Sequence, residues 1–296
     1  MHPAAPASGA RPPRYEIPTT KCDPMESRHL SQMLETAVVA ARLAGRHALE
    51  QMEYARSSVK GTQYRELVTQ VDGQCQKIAV DRIREAFPDH GFICEEGEGN
   101  AIFKMAPRGG ADLWWCIDPI DGTNNYAHGL PIFAVSIAVM HQGRPIVGAV
   151  FDPATESMFT AVQGDHARLN ERTITVSDET MNEFSHVGID SHFDWLGNDA
   201  DWTRKIMAAT RFRDIGSTAL QAAYVAKGAL IATLQPGPKL WDIAAGAIIV
   251  EMAGGLVTDF QGNPIFPVAL DSYDGGKFKT LIGNKAAHAE LLQLIR

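Results

Sequence analysis

The sequence predicts an α+β protein of helices and mostly antiparallel strands, on three observations. Apolar residues recur at helical spacing over long stretches. Between Ile132 and Gly164, short β-rich runs alternate with turn residues, as hairpins require. No GxGxxG follows any of the strand-like runs, which removes the dinucleotide fingerprint and argues against a wholly parallel, doubly wound sheet. At 296 residues the chain is long enough for two modest domains. The expected organisation is a loose extension at 1–28, an α+β domain at 29–170 and, where the strand-rich layer ends, a second α/β domain at 171–296.

A net charge of -8, without a basic run or tail, makes nucleic acid unlikely as a substrate. Cys22, Cys75, Cys94 and Cys116 have no CxxC spacing, and reduced thiols fit them better than a disulfide framework or a zinc site. No apolar stretch reaches membrane-spanning length and no signal-like segment opens the chain, so the expected setting is cytoplasmic.

Residues 1–28 are rich in Ala and Pro and lack periodicity. Met33, Leu34, Ala37, Val38, Ala41, Ala44, Ala48 and Met52 form one buried helical face. In LVTQVDGQCQKIAVDRIREAFPDHG, the residues Val71, Cys75, Ile78, Ala79, Ile83 and Phe87 predict a second helix that Pro88 stops. Asp72 falls near the expected start of this helix, where a carboxylate can cap backbone N–H groups or accept a proton. The strand-like run Gly91–Cys94 delivers Glu95 and Glu96, which read either as a solvated acidic loop or as part of a cleft. Leu113 to Ile117 is an apolar run that predicts a buried strand with Asp118 at its end, followed by Asp121, Gly122, Thr123 and Asn124. Burying two nearby carboxylates is costly, and a divalent cation is a direct way to keep both ionised.

Gln142–Gly143 suits a hairpin turn, and Asp152, Pro153 and Ala154 suit another. Trp202–Thr210 and Ser217–Lys227 are helical candidates, with Gly216 before the latter and Gly228 after it. Ala229–Leu234 reads as a strand and Gln235–Pro238 as a rigid turn. LWDIAAGAIIVEMAGG follows as an apolar helix whose first turn holds Asp242, a position that suits simple capping as well as chemistry. Trp241 beside it is expected at the domain seam. Val257–Phe260 and Lys279–Ile282 complete the strands, and His288–Ile295 is a terminal helix.

Taken together, Glu95, WCIDPIDGTNN at 115–125 and WDIAAGAIIVEMAGG at 241–255 resemble the signature motifs of the inositol monophosphatase family. LVTQVD at 67–72 and Gly216–Ser217 resemble its intervening motifs, and the likeness runs from about Leu30 to the C-terminus. The resemblance implies a layered αβαβα arrangement with mixed and antiparallel sheets, and a homodimer. It also implies magnesium-dependent hydrolysis of a small phosphorylated metabolite by direct attack of metal-activated water. On that resemblance, Glu95, Asp118 and the carbonyl of Ile120 match one Mg2+ site, and Asp118, Asp121 and Asp242 a second. Glu96 joins Glu95 in placing a third, weakly held ion. The backbone N–H groups of Gly122 and Thr123 match the phosphate site. The Thr123 hydroxyl and Asp72, with Glu95, match the groups that orient and deprotonate water. Lys60 matches a basic loop residue that tunes the site, or is a solvated flap residue.

For the leaving group, the resemblance points to Asp121, Gly216, Ser217, Thr218, Gln235 and Asp242. Gln235 stands where inositol-phosphate hydrolases usually carry a Glu, and an amide lacks the negative charge that favours hydroxyl donors or an amine. The expected substrate is a sugar or polyol phosphate such as inositol monophosphate. Histidinol phosphate and the 3'-phosphate of adenosine 3',5'-bisphosphate are the alternatives, and an interaction protein on a retained phosphatase scaffold is the non-enzymatic one. Residues 190–201, with His192 and Trp195, read as a lid or dimer rim, or as a plain surface loop.

Overall fold

A computed structural model describes residues 24–58, 63–98, 101–110, 112–190 and 200–295. Lys60 and most of 190–201 therefore lie outside the described residues, as does the extension up to residue 23. Helix α1 (Pro24–Ser58) begins inside the stretch expected to be loose. Its inner face is a row of fully buried small residues, Ala37, Ala40, Ala41, Ala44 and Ala48, which lets it sit close on the sheet beneath. Helix α2 (Gln63–Ala86) packs beside it. Because α2 starts well before residue 72, Asp72 occupies the helix interior and cannot cap its N-terminus. This corrects the sequence reading, which took the first inward apolar residue for the start of the helix.

The first sheet contains β1 (Gly91–Cys94), β2 (Phe103–Met105), β3 (Leu113–Asp121), β4 (Ala134–His141), β5 (Arg144–Asp152), β6 (Ser157–Val162), β7 (Arg168–Leu169) and β8 (Arg172–Thr173). Its order is β2-β1-β3-β4-β5-β6-β7-β8. Only β1 and β3 pair in parallel, so the sheet is mixed and mainly antiparallel. The turn from β4 to β5 is Gln142–Gly143, both at positive φ, the conformation that two-residue hairpins favour. A short helix α3 (Thr123–Ala127) leaves the end of β3.

The second sheet is built from β9 (His186–Ile189), β10 (Arg211–Arg213), β11 (Ala232–Gln235), β12 (Leu256–Thr258) and β13 (Thr280–Gly283). Its order is β10-β9-β11-β13-β12. Helices α5 (Thr218–Ala226) and α6 (Leu240–Met252) pack against strands of both sheets, whereas α4 (Ala200–Ala209) and α7 (Lys285–Ile295) lie on the outer face of the second. The layers thus run helix, sheet, helix, sheet, helix. Trp241 is fully buried in the core that the middle helices share with the first sheet. The strands β2, β7, β8, β9 and β10 have no counterpart in the sequence reading. They are two to four residues long, too short for alternation to register.

Strand β3 explains the apolar run at its start. Trp115 and Ile117 enter the core under α1 and α2, while Trp114 and Cys116 enter the core under α5 and α6. A strand covered on both faces reads as continuously apolar. The strand also extends beyond Ile117, since Asp118 and Asp121 both remain in it and pair with Ser136 and Ala134.

Candidate active site

The two-residue period of β3 puts Asp118 on the same face as Trp114 and Cys116, toward α6. Simple alternation would send Ile120 the same way. The register shift between Asp118 and Asp121 breaks that alternation, and Ile120 instead joins the core under α1 and α2. Asp121 is thereby turned toward α5. One bulge thus aims two carboxylates at the middle helices.

Helix α5 receives the second of them. The Ser217 hydroxyl donates to Asp121 Oδ2, and so does Ala219 N–H at 2.7 Å, while Thr218 N–H donates to Oδ1 at 3.2 Å. Ser217 also caps the helix by accepting Leu220 N–H at 3.2 Å. Ser217 is buried, so its hydroxyl positions Asp121 and is not a group lining a pocket mouth. Asp242 lies in the first turn of α6 and accepts Lys239 N–H at 2.7 Å, so capping and site membership coincide in one side chain. Two further bonds fix that turn, Ser136 Oγ to the Trp241 carbonyl at 2.9 Å and Leu240 N–H to the Tyr273 hydroxyl at 2.9 Å.

The outcome is that carboxylate oxygens of Asp118, Asp121 and Asp242 lie within 4.8 Å of one another. Glu95 follows β1 immediately and adds its field to Asp118 and Asp242. Its backbone neighbour Glu96 is clamped to α2, since Gln76 accepts Glu96 N–H at 2.9 Å and donates to the Glu96 carbonyl at 2.5 Å. Asp72, one helical turn before Gln76, lies within reach of the charges of both glutamates.

Burial pushes Asp118 well above the ordinary carboxylate range, and Glu95, Asp121 and Asp242 add to the push. Burial likewise raises Asp121 to about 7, against the hydrogen bonds from Ser217, Ala219 and Thr218. Asp242 rises to about 6 by burial, offset by the Lys239 N–H. Asp72 rises to about 8 by burial and then by the charges of Glu96 and Glu95. Mutually repelling, buried, oxygen-only donors suit a hard divalent cation, and Asp118, Asp121 and Asp242 can hold one.

Ile120 fits beside them. Its N–H donates to Asp118 Oδ1 at 3.0 Å, and its carbonyl accepts the Thr123 hydroxyl at 2.9 Å, which leaves one carbonyl lone pair. The Thr123 hydroxyl proton is therefore directed at Ile120 and not at Asp72. Gly122, at φ 103, opens α3, and a Cβ there would come within 3.0 Å of the Ile132 carbonyl. Gly216 meets the same loop from the other side, and a Cβ on it would press on Asn125. Asn125 Nδ2 donates to the carbonyls of Ile132 and Ile215, each at 2.8 Å, and so joins the two loops.

Gln235 departs from its expected place. It is the last residue of β11, not part of the following turn, and is fully buried. Nε2 donates to the Thr218 carbonyl at 3.3 Å, and Oε1 accepts the Thr280 hydroxyl at 3.3 Å. The sequence reading missed Asn125, Gln76, Ser136, Tyr273 and Lys239. Each has a partner 20 or more positions away, Ile215, Glu96, Trp241, Leu240 and Glu95 respectively, and no local pattern announces such contacts.

The sequence profile described as the inositol monophosphatase family matches residues 29–296. The chain belongs to the inositol monophosphatase family. Among its relatives, the Nus factor SuhB of Pseudomonas aeruginosa is 38% identical over 246 residues, spanning 80% of this chain and 89% of that protein. The fructose-1,6-bisphosphatase/inositol-1-monophosphatase of Thermotoga maritima is 40% identical over 205 residues, spanning 69% and 75%. The crystal structure of the extragenic suppressor protein SuhB of Bartonella henselae superposes with a TM-score of 0.76 at 29% identity, covering 90% of this chain and 98% of that one. The fold is accordingly that of the inositol monophosphatases. Among the described residues, no helix is long and apolar enough to cross a membrane.

Proposed function

We propose that the protein hydrolyses a small phosphate monoester, a sugar or polyol phosphate such as inositol monophosphate, in a magnesium-dependent reaction. The observation that carries this reading is the convergence of Asp118, Asp121 and Asp242 within 4.8 Å, beside Glu95. Glu95, Asp118 and the Ile120 carbonyl would hold one ion, and Asp118, Asp121 and Asp242 a second. Bound magnesium would supply charge neutralisation for the phosphate and acidify a water.

The chain's own groups do the rest. Backbone N–H groups of Gly122 and Thr123 bind phosphate oxygens at the start of α3. The Thr123 hydroxyl, anchored on Ile120, offers its lone pairs to the attacking water. Asp72 accepts the proton at its carboxylate, where burial stabilises the protonated form. Gly216, Thr218 and Asp121 border the leaving-group side. The family reading carries a homodimer and a cytoplasmic setting, checked by light scattering and by cell fractionation.

Relatives named Nus factor SuhB favour a second reading, a factor that acts by binding on the same scaffold. The deciding measurement is kcat/KM for inositol monophosphate, histidinol phosphate and adenosine 3',5'-bisphosphate, with Mg2+ and after chelation. Mg2+-dependent turnover highest on inositol monophosphate supports the proposal. A preference for the nucleotide of about tenfold or more would replace the polyol by a nucleotide. No turnover on any of the three would leave the binding factor as the better account.

A further inference from the structure

Among the described residues, one cation stands inside the acidic cluster. Lys239 Nζ lies 3.7 Å from Glu95 Oε1 and 4.9 Å from the centre of the Trp241 ring. The placement is built rather than incidental. Lys239 is the residue before α6, its N–H is bonded to Asp242, and the Trp241 ring gives its ammonium a face to rest on. Its side chain and that of Glu95 are each only about one-third exposed. Its positive field reaches Glu95, Glu96 and Asp242. Among the described residues, Asp118 and Asp121 have no such partner: Asp121 is satisfied by a hydroxyl and two amides, and Asp118 accepts the Ile120 amide.

We infer that Lys239 is a tethered counter-cation for the Glu95–Glu96 side of the site, where it competes with magnesium for Glu95. The inference rests on the metal reading above and concerns a residue that this reading leaves without a role. Two like charges sharing one carboxylate oppose each other. The lysine therefore weakens the uptake of an ion at Glu95, while it stabilises the metal-free protein by supplying the opposite charge to a half-buried carboxylate. A side chain needed only for folding would act differently, since its loss would lower stability and metal affinity together. Replacing it leaves the α6 cap in place, because the bond to Asp242 comes from the Lys239 backbone.

The test uses the full chain, stripped of metal, titrated calorimetrically with MgCl2 alone at fixed ionic strength, and melted in chelator. For K239Q the expected result is a lower melting temperature in chelator together with Mg2+ binding at the weakest resolved site that is tighter by about fivefold. K239R, which keeps the charge, should bind Mg2+ within about twofold of the parent. Unchanged or weaker Mg2+ binding in K239Q would overturn the inference while leaving the metal site standing. A parent protein that takes up no Mg2+ would overturn both.

Discussion

Asp121 of β3 is held by the first turn of α5, through the Ser217 hydroxyl and the amides of Thr218 and Ala219. A carboxylate from the first sheet thereby takes up the free donors of a helix that lies between the two sheets. S217A removes a charge-assisted bond and a helix cap, worth roughly 1–3 kcal/mol together. It should lower the melting temperature and raise the Mg2+ concentration needed for half-maximal turnover. S217T should retain most of both. Parent-like melting and Mg2+ dependence in S217A would show that the two backbone amides suffice.

Asp118 is the carboxylate most deeply committed to the cluster. D118N keeps its shape and its bond with the Ile120 N–H, so circular dichroism should be unchanged. Turnover of the phosphate ester should fall at least about a hundredfold, as the loss of a metal ligand predicts. Turnover that persists in D118N, or in the parent after stringent chelation, would refute a metal-dependent reaction.

Much of this site was legible in the sequence, and the limits of that reading have physical causes. The pair Asp118 and Asp121 stood out because carboxylates rarely end a fully apolar run. Glu95 and Asp242 joined them through the resemblance of their motifs. Helices α1 and α2 followed from periodicity, and α5 from the glycines that bracket it. The bulge at Ile120 was not legible, since it depends on how β3 pairs with β4. Asp72 was misplaced because the sequence reading began the helix near Val71, several positions after α2 starts at Gln63. The roles of Ser217 and Gln235 changed because each is bonded to a residue 45 or more positions away, Asp121 and Thr280 respectively.

Water activation gives a prediction of a different kind. T123A should reduce kcat more than it changes KM, since the backbone amides that grip phosphate remain and the lost hydroxyl matters mainly during attack. D72N should have the same sign. A double variant little worse than either single one would mark a shared unit. Parent-like kcat in both single variants would remove these residues from the mechanism.

The raised carboxylates link stability to pH. Asp72 at about 8 and Asp121 at about 7, against about 4 in an unfolded chain, mean that the folded protein holds more protons than the unfolded one across that range. Their contribution is full at acid pH and is lost as pH rises through the folded values. Below about pH 6.5, the buried His90 and His288, lowered to about 4 by burial, oppose it. Metal-free protein should therefore lose melting temperature between about pH 6.5 and about pH 8.5. Because Mg2+ needs ionised carboxylates, the rise it produces should grow over the same interval. A rise that is flat or shrinking with pH would contradict proton and metal competition at these residues.

Gln235 gives the last prediction, and here sequence and structure pull in opposite directions. If the side chain met the leaving group, Q235E would restore the glutamate usual in inositol-phosphate hydrolases and favour hydroxyl-rich substrates. In the structure the Thr218 carbonyl can only accept, so it must face Nε2, which leaves Oε1 to receive the Thr280 hydroxyl. A carboxylate cannot donate to Thr218 unless it is protonated, and ionised it would set an oxygen against a carbonyl in a fully buried position. Q235E should therefore destabilise the protein by roughly 1–3 kcal/mol. The ratio of kcat/KM for inositol monophosphate to that for adenosine 3',5'-bisphosphate should change less than about threefold, since the tie between α5 and β11 is structural. Thermal melts with paired kinetics decide the matter. A stable Q235E with a shift toward the polyol of about tenfold or more would show that position 235 reads the substrate after all.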